Sequence, residues 1–333
     1  MSPLRAGIAF LLVVLVAALA YFGAETAAVR PLLADILPYA ALLIFLAGFS
    51  FKVIRWAWSP VPFRIPTTCG QQRSLPWIKA NHLDNPSTKA GAWGRMALEV
   101  LCFRSLFRNT RAELREGPRI AYSEDKFLWL AALAFHWSLL FILLRHLRFF
   151  LLPVPHWLLG MSALDGFFQV GAPGLYITDG VIFLALLYLL ARRFWDAQVR
   201  YLSLLADYFA LFLLLGLVLT GIQMRYSDRV DLERVKEFAL SLTVFSPHIS
   251  AAVAPLFFVH LTFVCVLLAY IPFSKLMHLG GVFLSPTRNL ANNSRIQRHI
   301  NPWNPPVKVH TYAEWEDEFR EKIRAAGLPL EKE

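Results

Sequence analysis

Residues 127–152 read FLWLAALAFHWSLLFILLRHLRFFLL and residues 251–282 read AAVAPLFFVHLTFVCVLLAYIPFSKLMHLGGV. Each is an apolar run of about 20 residues or more, the length a helix needs to cross a hydrocarbon core about 30 Å thick. Each also carries two histidines, His136 and His146 in the first, His260 and His278 in the second. Ionisable groups are costly inside a membrane and usually functional there. The two stretches therefore announce both a membrane fold and a chemistry.

Working outward, four more segments approach spanning length: 6–22, 36–58, 175–191 and 204–224. The expected fold is all-α, a polytopic bundle of six transmembrane helices. Arg5 and the apolar run 6–22 fit a retained anchor slightly longer than a signal-peptide core, and cleavage there would leave five spans. The chain divides into two N-terminal spans (1–58), a cytoplasmic loop (59–126), a four-helix unit (127–282) and a cytoplasmic tail (283–333). Of 333 residues, 57% are hydrophobic and 17% charged, more apolar than one soluble core requires.

The net charge of +10 could suggest nucleic acid, but most basic residues sit in loops, where they report topology instead. Placing both termini in the cytoplasm puts 26 of the 33 Lys and Arg inside, twelve of them between Arg55 and Lys126 and nine from Lys275 onward. The chain is thus expected in the cytoplasmic (inner) membrane, with the ends of residues 127–152 and 251–273 that bear His146 and His260 facing outward. The loop 64–88 and the tail 307–329, which has an amphipathic helical pattern, form an inner surface suited to a docked partner. Cys69, Cys102 and Cys265 match no disulfide framework, no zinc spacing and no iron–sulfur ligand set, and a Cys-x-x-Cys-His attachment motif is absent.

A neutral imidazole is tolerated among helices and ligates haem iron, so helices that each present one can clamp a haem between them. Antiparallel spans pair His146 with His260 at the outer level and His136 with His278 at the inner. Helix arithmetic supports this only in part. Ten residues rise about 15 Å and eighteen about 27 Å, and His136 and His146 stand about 80° apart around their axis. Tilted helices or a bend after Pro272 would reconcile these values. Arg145 and Arg148 flank His146, where an arginine either pairs with a haem propionate or snorkels to headgroups. His156 and His248 are outer candidates for hydrogen bonding a quinone carbonyl, while Asp179 and Asp207 near helix ends suit proton relay or helix capping.

The His-x9-His and His-x17-His spacings resemble those of the membrane cytochrome b (gamma) subunits of respiratory nitrate reductases. Over nearly the whole chain, FRIPTTCGQQRSLPWIK (63–79), LDNPST (83–88), GRMALEVLCFRSLFRNT (94–110), ALAFHWSLLFILLRHLRFF (132–150) and FSKLMHLGGVFLSPTRNLANNSR (273–295) resemble the DsrM family. DsrM proteins are the cytochrome b subunits of the DsrMKJOP complex of sulfur metabolism. The resemblance implies His136, His146, His260 and His278 as axial ligands of two haems b. It further implies menaquinone or another quinone as redox partner, and a cytoplasmic iron–sulfur subunit, DsrK, that is similar to heterodisulfide reductases. Electron transfer would then be the chain's whole task, since no substrate-processing nucleophile is visible. Two other classes fit an apolar bundle with buried histidines: a proton-coupled transporter, which calls for inverted repeats not evident here, and a cofactor-free anchor.

Overall fold

The computed structural model describes residues 2–59, 81–117, 119–166, 175–291 and 309–332. The long elements are helices α1 (Ser2–Glu25), α2 (Leu37–Ala57), α3 (Lys89–Cys102), α4 (Lys126–His146), α5 (His156–Asp165), α6 (Ile177–Trp195), α7 (Leu205–Tyr226), α8 (Leu232–Thr243), α9 (Pro255–Tyr270) and α10 (Tyr312–Ala325). Five stretches are long and apolar enough to cross a membrane: Pro3–Glu25, Leu32–Ala57, Lys126–Phe149, Leu205–Tyr226 and Pro255–Phe273. The protein is an all-α multi-pass membrane bundle.

The expected span 175–191 departs from the other five. Helix α6 has 19 residues, enough for about 28 Å, but it carries Asp179 in its first turn and Arg192 and Arg193 in its last. Those charges are held at its ends: Arg192 meets Asp125 at 2.7 Å, and Asp179 meets Arg145 at 3.1 Å. Its middle is buried at Ile182, Ala185 and Leu186.

The bundle is a chain of neighbours. Helix α4 packs on α6, α6 on α7, α7 on both α1 and α9, and α9 on α1 and α2. One core joins Phe135, Ile182, Leu186 and Leu214 across α4, α6 and α7. A second joins Val13, Ala20, Leu213, Val259 and Phe263, so the N-terminal helix shares its core with α7 and with α9, the helix that bears His260. Close approach of α7 and α9 depends on Gly216, where a Cβ would lie 2.8 Å from Phe263. Large apolar side chains on the outward faces, such as Leu43 and Phe22, remain exposed on the bare chain as a lipid-facing surface requires.

Local signals set the ends. Asp231 and Asp196 cap α8 and the short helix Ala197–Leu202 by accepting backbone N–H groups. Pro255 opens α9, and Pro272 closes it in a 3₁₀ turn, Ile271–Phe273. Outside the spans, strands β1 (Thr110–Arg115) and β2 (Arg119–Glu124) pair antiparallel with Thr110 opposite Glu124 and Leu114 opposite Ile120. This hairpin is an addition to the all-α expectation. The tail helix is found as the pattern implied, opening with a capping box between Thr311 and Glu314. The part of the expected docking loop before residue 81, Cys69, and the tail segment 292–308 with His299 lie outside the described residues.

Candidate functional site: two imidazole pairs

Helices α4 and α9 run antiparallel, with α4 packed mainly on α6, α6 on α7 and α7 on α9. Across the resulting gap two pairs of imidazoles face each other. His146 and His260 have ring centroids 6.5 Å apart and planes 14° from parallel. His136 and His278 have centroids 5.9 Å apart and planes at 80°.

The second pair exists because α9 does not continue. After the 3₁₀ turn at Pro272 the backbone is extended at Ser274 (φ −124°, ψ 176°), and a further 3₁₀ turn, Lys275–Met277, delivers His278. The straight-helix separation of about 27 Å therefore does not apply to His260 and His278. Ser274 caps the new turn by accepting the Leu276 N–H, and Gly48 on α2 lets Pro272 sit close, since a Cβ there would lie 2.7 Å from the proline ring.

Each ring is oriented through Nδ1. His136 Nδ1 lies 2.7 Å from the carbonyl of Ala132, His146 Nδ1 2.7 Å from that of Ile142, and His278 Nδ1 2.9 Å from that of Lys275. A carbonyl only accepts, so in each case Nδ1 carries the proton and Nε2 keeps its lone pair. His260 Nδ1 lies 2.9 Å from Thr220 Oγ1 on α7. Three of the four imidazoles thus keep Nε2 free, the arrangement in which a ligating histidine is fixed from behind, and the Thr220 hydroxyl stands in the corresponding place behind His260.

These residues fit a haem. Two collinear metal–nitrogen bonds of about 2.0 Å, with each ring centre about 1.1 Å beyond its nitrogen, place the centroids roughly 6 Å apart. The observed 5.9 and 6.5 Å bracket that value. In each pair one imidazole is half-buried and the other exposed on the bare chain, so each gap opens toward the side of the bundle and can admit a large flat group. Phe103, held at φ 51° at the end of α3, presents its ring edge to His136 at 4.9 Å, with Phe135 on another side at 5.0 Å.

Beside His146 the chain builds a buried ion cluster. Arg145 pairs with Asp165 at 2.9 Å and Asp179 at 3.1 Å and lies 3.8 Å over the Tyr176 ring. Asp165 also accepts from the backbone and hydroxyl of Thr178, and Asp179 accepts from Tyr226. The guanidinium of Arg145 is thereby engaged by carboxylates, and it does not snorkel. Arg148 lies over the ring of Phe149. At the other end Asp207 accepts the Leu204 N–H and pairs with Lys275 at 2.8 Å, so it caps α7 and anchors the turn that carries His278. His156 is exposed at the start of α5, and His248 Nδ1 lies 3.2 Å from the Ser246 carbonyl. Asp165 and Thr220 were not singled out in the sequence: the aspartate sits in a mixed segment and the threonine in an unremarkable apolar helix.

Residues 97–299 match the nitrate reductase gamma subunit family. An "Hdr-like menaquinol oxidoreductase cytochrome b-like subunit" of Archaeoglobus fulgidus is 45% identical over 277 residues, covering 81% of this chain and 82% of the relative. A protein of the same description from Archaeoglobus profundus is 43% identical over 299 residues, covering 88% and 87%. The paired histidines all fall inside the matched region, and with similarity running through most of its length the chain belongs to the membrane cytochrome b family of nitrate reductase gamma-like subunits.

Proposed function

We propose that this chain is the two-haem cytochrome b subunit of a quinone-linked oxidoreductase, exchanging electrons between menaquinone and a cytoplasmic iron–sulfur partner of the heterodisulfide reductase type. The observation that carries the reading is the pair of imidazole couples at metal-bridging separation, each ring fixed through Nδ1. His146 and His260 would hold one haem b, His136 and His278 the other, which places the four-helix unit 127–282 at the centre of the function. Bound haem b supplies one-electron redox chemistry, with a potential tuned by axial ligands, hydrogen bonds and burial. The chain's residues do the rest: α4 and α9 set the spacing, Phe103 and Phe135 exclude water from His136, and Arg148 is the cation available to a propionate beside His146, because Arg145 is committed to Asp165 and Asp179.

Menaquinol as reductant and an Hdr-like assembly are supported by the description of both relatives, and the DsrM-like motifs favour DsrK as that partner within a DsrMKJOP complex of dissimilatory sulfur metabolism. Charge distribution puts the α3 and hairpin surface, the loop 64–88 and the tail on the cytoplasmic side, where such a subunit docks. Purified protein tests the reading directly. Acid–acetone should extract two haems b per chain, and a menaquinol analogue should reduce them. Haem-free protein would return the transporter and anchor readings to first place.

A further inference from the structure

We propose that Thr220 is the positioning residue for His260, and that its hydroxyl sets the redox potential of the His146–His260 site; the inference rests on the haem reading above. At His136, His146 and His278 the Nδ1 acceptor is a backbone carbonyl within four residues of the histidine, so it is fixed by the local fold. At His260 the contacts come from a different helix: the Thr220 side chain lies 2.9 Å from Nδ1, and the Leu217 carbonyl is also within reach of the ring. The hydroxyl of Thr220 has one proton, and the carbonyls of Gly216 and Leu217 lie 2.9 and 3.0 Å from its oxygen. Since those carbonyls only accept, the proton goes to them, and a lone pair on Oγ1 faces His260 Nδ1–H.

The neighbouring position makes the contact possible. Gly221 follows Thr220, and a Cβ there would lie 3.3 Å from His260 Cε1, so the missing side chain lets the imidazole lie against α7. A ligating imidazole that donates through Nδ1 is a more basic ligand, which favours oxidised iron and lowers the midpoint potential. Removing the acceptor should raise it. A threonine in an apolar helix commonly bonds back to its own helix with no further consequence, and that plain role would leave the potential where it was.

The test is a redox titration of membranes or purified complex carrying wild type, Thr220→Val and Thr220→Ser, with haem content measured in each. Valine matches threonine in shape and removes the hydroxyl. The expected result is two haems in every protein, an upward shift of one midpoint in Thr220→Val with the other unmoved, and the wild-type value in Thr220→Ser. Should Thr220→Val lose one haem, retention of that haem in Thr220→Ser supports the hydroxyl, and loss in both overturns it. Unshifted midpoints in Thr220→Val, or equal shifts of both, also overturn the proposal. A wild type without haem fails the cofactor reading instead, which keeps the two failures distinct.

Discussion

The imidazole of His278 reaches that of His136, centroids 5.9 Å apart, because the chain leaves the α9 axis at Ser274 and returns toward α4. The turn is anchored by Lys275 on Asp207 at 2.8 Å and by Pro272 against Gly48. Imidazole spacing in this protein is therefore a property of how a span ends as much as of the span itself.

Arg145 bridges the carboxylates of Asp165 and Asp179, whose side chains are 1% and 15% exposed. Arg145→Met should destabilise the bundle by roughly 3–5 kcal/mol, because it strands buried charge. Thermal loss of the haem absorbance reads this as a lowered midpoint temperature. Arg145→Met combined with Asp165→Asn should recover part of the loss, and an unchanged melting curve for the single variant would remove the cluster from the account.

Gly216→Ala introduces a Cβ 2.8 Å from Cε2 and 3.2 Å from Cζ of Phe263. Overpacking of this kind costs about 1–3 kcal/mol, and here it forces α7 from α9. Phe263→Leu in the same chain should relieve it. The comparison needs only detergent-solubilised protein and a denaturation curve; equal stability of Gly216→Ala and wild type would mean the two helices are not held at this distance.

Asp84 ties residues 81–108 together by accepting from Arg108, from Arg104 at 3.2 Å and from Asn81 at 2.8 Å. Burial pushes its carboxyl up, but the hydrogen bonds from Arg108, Arg104 and Asn81 outweigh this and hold it below the usual carboxylate range. A carboxyl with a depressed folded value contributes stability that is complete above the unfolded value, about 3.9, and is lost as pH falls through the lower folded one. Amide protection factors in α3 should therefore fall below about pH 4 in wild type, whereas in Asp84→Asn they should be low already at neutral pH. An acid response identical in both proteins would assign it to another group.

Much of this was legible in residues 127–152 and 251–282 alone, since apolar length gives spans and a histidine at each of two levels gives pairs. The mismatch of about 15 and 27 Å was resolved by Ser274, whose extended backbone no helical periodicity encodes. The hairpin escapes the sequence reading although TRAELR and RIAYSE flank the sequence Glu116-Gly117-Pro118, with Gly117 at φ 80°; short mixed-charge strands beside long apolar helices are a weak signal. Asp165 and Thr220 act through tertiary neighbours, Arg145 and His260, and only the packing of α5 and α7 on the bundle brings them together.

The central claim is that the four histidines act as two couples, and redox titration of the four single variants tests it most directly. His146→Ala and His260→Ala should each lose the same haem, while His136→Ala and His278→Ala each lose the other, since an iron left with one imidazole sits in a gap shaped for two. The couples differ in ring-plane angle, 14° against 80°, so the oxidised low-spin spectra should also tell them apart. Two shared spectra and two retained midpoints, sorted as 146 with 260 and 136 with 278, are the predicted result. His136→Ala behaving as His146→Ala and unlike His278→Ala would contradict the pairing and the antiparallel arrangement of α4 and α9 on which it stands.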